Sequence, residues 1–158
     1  MGPLNMGLLK STRFWLLIGR ILLAAIFLAA GIAKLREPWP NLAASIYTFK
    51  LVPDTMLEPM ARILPWIEVL LGAAVISGIR LRWTSLAATL MLAAFLSVLI
   101  RSWAVGLQVD CGCFGSGEPL GPKVILRDSL MLVLGIAVTY GAFRTARAPD
   151  KTTPDQLA

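Results

Sequence analysis

Four stretches of nearly unbroken apolar residues run through the chain, each bounded by Lys, Arg, Gly or Pro. They cover about 14–34, 62–79, 83–101 and 124–143. A helix needs roughly 20 predominantly apolar residues to cross the hydrocarbon core of a bilayer, so all four read as membrane spans. The second is short and can extend back through Arg62 and Met60. Between the first two spans the breaker cluster Glu37-Pro38-Trp39-Pro40 gives way to Leu42, Ala43, Ile46, Tyr47, Phe49 and Leu51. Their near-helical spacing predicts a short amphipathic helix at the membrane interface, ended by Pro53. The connection over 102–123 holds Gly106, Gly112, Gly115, Gly117, Pro119, Gly121 and Pro122, which is loop chemistry. The expected architecture is all-α: an integral membrane four-helix bundle over 1–148, with a disordered cytoplasmic tail over 149–158.

Composition supports lipid as the solvent. The 158 residues are 57% hydrophobic and 15% charged, against about 45–50% and about 25% in soluble domains. The net charge of +6 does not point to nucleic acid, because the basic residues flank apolar runs instead of interleaving with aromatics on a polar surface. There is no histidine, which excludes imidazole metal sites, Ser-His-Asp triads and Cys-His nucleophiles. No metal site is expected. A cleaved leader is the alternative for the first span, with Gly31-Ile32-Ala33 as the small-residue site, but the apolar run exceeds the usual 7–15 residues of such segments.

Four spans put both termini and the second connection on one side. Lys and Arg divide almost evenly between the two sides, so orientation rests on the basic N-terminus and the Arg80-Leu81-Arg82 hairpin, both close to span ends. Both termini are therefore expected in the cytoplasm of a bacterial inner membrane, with the third connection periplasmic or extracellular.

That connection carries both cysteines of the chain, in Asp110-Cys111-Gly112-Cys113-Phe114-Gly115. Two thiols one residue apart can close only a small, strained ring, with Gly112 free to adopt the positive φ that relieves it. Strained, exposed disulfides are the ones that exchange, and a non-reducing compartment lets them cycle. Cys111 and Cys113 are therefore the candidate catalytic pair. A structural bridge would close too short a loop to stabilise much. Idle thiols, and a metal or partner anchor without a third nitrogen ligand, stay open. Asp110 disfavours the Cys111 thiolate, which leans toward Cys113 as the more acidic thiol.

Ionisable residues within spans are costly and functional by default. Lys34 closes the first span, Glu68 sits near the start of the second, Arg101 closes the third, and Arg127 and Asp128 open the fourth. Alternating topology brings all five to the membrane face that bears the cysteine loop. Glu68 is expected to pair with Lys34 or Arg127, and Arg101 or Arg127 to favour the thiolate. The plain alternative is that the long basic side chains snorkel to head groups, as is expected of Arg20 at the other face. Ala25-Ala29-Ala33 and Gly135-Thr139 have the spacing of close helix packing. Trp39, Trp66, Trp83 and Trp103 fit an interfacial belt.

Gly31-Ile32-Ala33-Lys34-Leu35 with Pro38, Leu64-Pro65-Trp66-Ile67-Glu68 with Gly72, Cys111-Gly112-Cys113-Phe114-Gly115 and Arg127-Asp128 resemble the methylamine-utilisation MauE family, within the wider DoxX-like group. The resemblance covers roughly 14–143. It implies a four-span inner-membrane protein associated with thiol redox chemistry and with the maturation of a periplasmic client. Analogy to quinone-linked DoxX relatives implies a membrane quinone as a further electron carrier; no other cofactor is called for. The family often has Asn where this chain has Asp128, an acid that would pair with Arg127 and weaken its pull on the thiols. The reading that follows is a membrane thiol–disulfide component serving a periplasmic thioredoxin-like partner or client. A non-catalytic membrane subunit with idle cysteines and a small-solute carrier built on Lys34 and Glu68 are its rivals.

Overall fold

The computed structural model describes residues 4–107 and 119–147, with side-chain surroundings from 14 to 107 and from 119 to 145. Five helices follow one another: α1 (Leu4–Arg36), α2 (Trp39–Thr48), α3 (Asp54–Ser77), α4 (Leu81–Ala104) and α5 (Pro122–Arg147). Helices α1, α3, α4 and α5 are each long and apolar enough to cross a membrane. Their outward faces carry large apolar side chains such as Leu17, Leu70, Leu90, Leu130, Val133 and Ile136. Lipid is the solvent such a surface requires.

Prolines set the element starts. Pro38 precedes α2 and Pro40 sits in its first turn, where a missing N–H costs nothing. Pro53 was expected to end this short helix, but α2 stops at Thr48 and Pro53 instead caps the start of α3, with Asp54 in the first turn. The reversal between them is made by Lys50, which takes a left-handed φ of 51°. It turns the chain so that Phe49 points inward and is buried. Helix α2 is thus not a free amphipathic surface: Leu42 and Phe49 are buried, and it packs chiefly on α3.

Helix α3 begins earlier than the apolar pattern predicts and runs through both Pro59 and Pro65. Membrane helices tolerate proline because neighbouring groups satisfy the freed carbonyls. It ends at Gly78, in the left-handed conformation (φ 74°), whose N–H donates to the carbonyls of Ala74 and Val75 at 3.1 and 3.2 Å.

The four long helices associate as two antiparallel pairs. α1 packs most extensively on α3 and α4 on α5; α1 also meets α5, while α3 and α4 touch only lightly. The α1–α3 contact is set by glycines. A Cβ at Gly31 would lie 2.7 Å from Val69 Cγ2 and 2.9 Å from the Pro65 carbonyl, and one at Gly72 would lie 3.1 Å from the Ala24 carbonyl. This corrects the expectation from spacing: Ala25 and Ala29 face outward, and Gly31 and Gly72 carry the close approach. The Gly135-Thr139 expectation fits the α4–α5 pair. Gly135 lies against Thr89, and the Thr89 and Thr139 hydroxyls hydrogen-bond at 2.9 Å. Leu23, Ala24, Phe27, Val75, Ala88 and Val138 form the central core where the pairs meet.

Candidate functional site

The last turn of α1 and the middle of α3 bring Lys34 and Glu68 together. The Lys34 ammonium donates a hydrogen bond to Glu68 Oε1, with side chains only 4% and 9% exposed. Burial of this pair follows from the glycine-mediated approach at Gly31, which brings α3 close enough for both side chains to lie inside. Lys34 Nζ also stands 5.9 Å from the centroid of the Phe95 ring on α4. Glu68 Oε2 is buried and has no hydrogen-bond partner among the described residues. Desolvating an ion pair is expensive and is offset only by good geometry and full hydrogen bonding, so an open position beside it is notable.

Of the remaining predicted residues, Asp128 is buried in the second turn of α5. Its Oδ1 accepts a hydrogen bond from Arg127 Nε at 3.0 Å. The pairing of Arg127 with its neighbouring acid is thus as the sequence suggests, and Glu68 pairs with Lys34. Arg101 is exposed at the end of α4. Cys111 and Cys113 lie outside the described residues.

Lys34, Glu68 and Asp128 share one cavity of about 280 Å³, formed where α3 and α4 stand apart. Its remaining wall is apolar, including Phe27, Phe49, Leu64, Met91, Phe95 and Met131. The described ends of the cysteine-bearing segment sit at the same place. Leu107 and Leu120 pack against a cluster of Phe49, Leu99 and Val124, joined by Phe95 and Val98. Phe49, Phe95 and Val98 line the cavity as well. Leu107 and Leu120, the described leucines on either side of 108–118, therefore belong to a cluster that includes residues walling the polar pair.

Sequence reasoning did not find this apolar chamber. Its walls come from all five helices and from Phe49, whose inward turn depends on the conformation of Lys50. Arg20 was also misassigned. It does not simply reach for head groups: its guanidinium donates to the Ile76 carbonyl and lies against Gly78, capping the end of α3. An orphan carbonyl at a helix end in a non-aqueous setting is a strong attractor for such a donor.

Four bilayer-length apolar helices around a buried lysine–glutamate pair define a multi-pass helical membrane protein. A family profile described as "Methylamine utilisation protein MauE" matches residues 12–141, and the chain belongs to that family. It is 31% identical over 129 residues to methylamine utilization protein MauE of Paracoccus denitrificans, covering 77% of this chain and 67% of the relative. The protein of the same name from Paracoccus versutus is 28% identical over 139 residues (85% and 74% covered). That from Methylophilus methylotrophus is 29% identical over 96 residues (59% and 49%). The chain thus spans between about half and three quarters of the length of these relatives. No solved structure matches.

Proposed function

We propose that this chain is a membrane thiol–disulfide exchange component of the bacterial inner membrane. Cys111 and Cys113 trade electrons with a periplasmic thioredoxin-like partner or client, and a membrane quinone serves as the carrier on the lipid side. Both termini then lie in the cytoplasm and the cysteine segment in the periplasm. The observation that supports this reading is the anchoring of Leu107 and Leu120 on the wall of the cavity that holds Lys34 and Glu68. The described ends of the dithiol segment thus share an apolar cluster with residues that also line the cavity of the two paired charges. The relatives are named for methylamine utilisation, and the role proposed for this chain is the more general one of electron exchange with a periplasmic partner or client.

Trapping tests it. In cells where the wild type is active, a Cys111→Ser or Cys113→Ser variant is expected to accumulate a mixed disulfide, because the remaining thiol cannot be resolved internally. Mass spectrometry of the adduct names the partner. No adduct from either variant, together with full function of the double serine variant, would return the chain to the class of non-catalytic membrane subunits.

A further inference from the structure

The cavity between α3 and α4 has features that the thiol reading does not use. The lining residues that are exposed are Leu51, Met60 and Ala94, all apolar. Apolar residues at every exposed point of the lining suit an opening toward acyl chains. The cavity's depth holds three charged side chains, each at least nine-tenths buried: Lys34 and Glu68, paired with each other, and Asp128, paired with Arg127. At about 280 Å³ it falls just short of the roughly 300–1,000 Å³ usual for small-molecule sites. Such sites pair an apolar wall with a few placed polar groups.

The polar groups specify the guest. An ammonium has three N–H donors, and Lys34 gives one of them to Glu68 Oε1. Glu68 Oε2 is a buried acceptor that lacks a donor among the described residues. A buried carboxylate oxygen without a partner is costly. A net-charged guest would face a large desolvation cost in a wall this apolar, so the guest is neutral. A group that accepts from Lys34 and donates to Glu68 completes both: a hydroxyl does this, on a ring or on a chain.

We propose that this chamber is a binding site for a neutral, lipid-soluble molecule that enters from the bilayer between α3 and α4 and seats a hydroxyl-bearing end on the Lys34–Glu68 pair. Quinols and long-chain alcohols share this chemistry. The site stands on the geometry above. It rests on the thiol reading only for its redox consequence. In that case a quinol seated in the chamber gives its two electrons and two protons to the Cys111–Cys113 disulfide, which opens to two thiols, and leaves as quinone.

The test uses the full chain in nanodiscs, titrated without oxygen with a short-tailed benzoquinol, with 1-dodecanol and with dodecane. Retained ligand is counted by native mass spectrometry. At least one of the two hydroxyl compounds is expected to be retained at one per chain, with dodecane lost. Retention of the quinol alone assigns the site to ring compounds, and retention of both assigns it to the hydroxyl itself. Glu68→Gln and the mouth-blocking Ala94→Trp are each expected to weaken binding at least tenfold, while the Cys111→Ser/Cys113→Ser variant binds like the parent. Equal retention of dodecane, retention of neither hydroxyl compound, unchanged binding by Ala94→Trp, or loss of binding in the double serine variant would overturn the assignment. Binding that survives in the double serine variant, in a protein that forms no mixed disulfide, leaves this site standing while the exchange reading falls.

Discussion

At the scale of single residues, the Lys34–Glu68 pair has the largest consequences for stability. Removing one member of a buried ion pair strands the other in a poor solvent and costs about 3–5 kcal/mol, whereas replacing both with apolar groups of similar volume is often neutral. Lys34→Met is therefore expected to destabilise the bundle by about that amount, and Lys34→Met with Glu68→Leu to recover most of the loss. Unfolding of each variant in mixed micelles measures it, and the cycle gives the coupling directly. Additive losses would mean that the two charges are solvated separately. This pairing could be read in the sequence because a short carboxylate within an apolar run must find a cation. The role of Arg20 could not. Whether an arginine near a span end reaches outward or inward depends on which carbonyls lie within range, and Ile76 is 56 residues away along the chain.

At the scale of elements, hydropathy period and length identified the four long helices and the short one between the first two, since those signals are local. The contact faces were less legible. Four-residue spacing of small residues marks a face that can be approached, but it does not say which face meets a neighbour, so it pointed to Ala25 and Ala29 and passed over Gly31. The deciding facts are tertiary: Pro65 and Val69 stand opposite Gly31. Gly31→Ala places a methyl 2.9 Å from a backbone carbonyl, which cannot yield as a flexible side chain would. Overpacking of this kind typically costs about 1–3 kcal/mol. The same denaturation assay is expected to show a loss in that range for Gly31→Ala and little change for Ala29→Gly beyond helix propensity, about 1 kcal/mol at most. The early start of α3 was hidden by Pro59 and by the charged Glu58 and Arg62, which form an exposed ion pair at 2.7 Å. They look like a break in the pattern, yet they lie on its outer side.

At the scale of the whole molecule, the α3–α4 turn and Leu107, the last described residue before the cysteine segment, lie beyond opposite ends of α4, so the proposed topology puts turn and segment on opposite sides of the bilayer. In a cysteine-free background, Arg82→Cys at that turn is expected to react with a membrane-impermeant maleimide only after cells are permeabilised. Cys111, restored alone, is expected to react in intact cells. The reverse pattern would place the thiols in the cytoplasm and remove the basis for exchange with a periplasmic client. The candidate site is a property of this scale too: its walls come from every helix, so no window of sequence contains it, and only its charged members stood out beforehand.

The division of the bundle into two helix pairs also bears on biosynthesis. In chain order α1 and α3, which pack most extensively on each other, precede α4 and α5, so this pair is expected to be able to associate first. Each pair then forms as a hairpin from neighbouring spans, and the chamber between α3 and α4 closes only when the two hairpins meet.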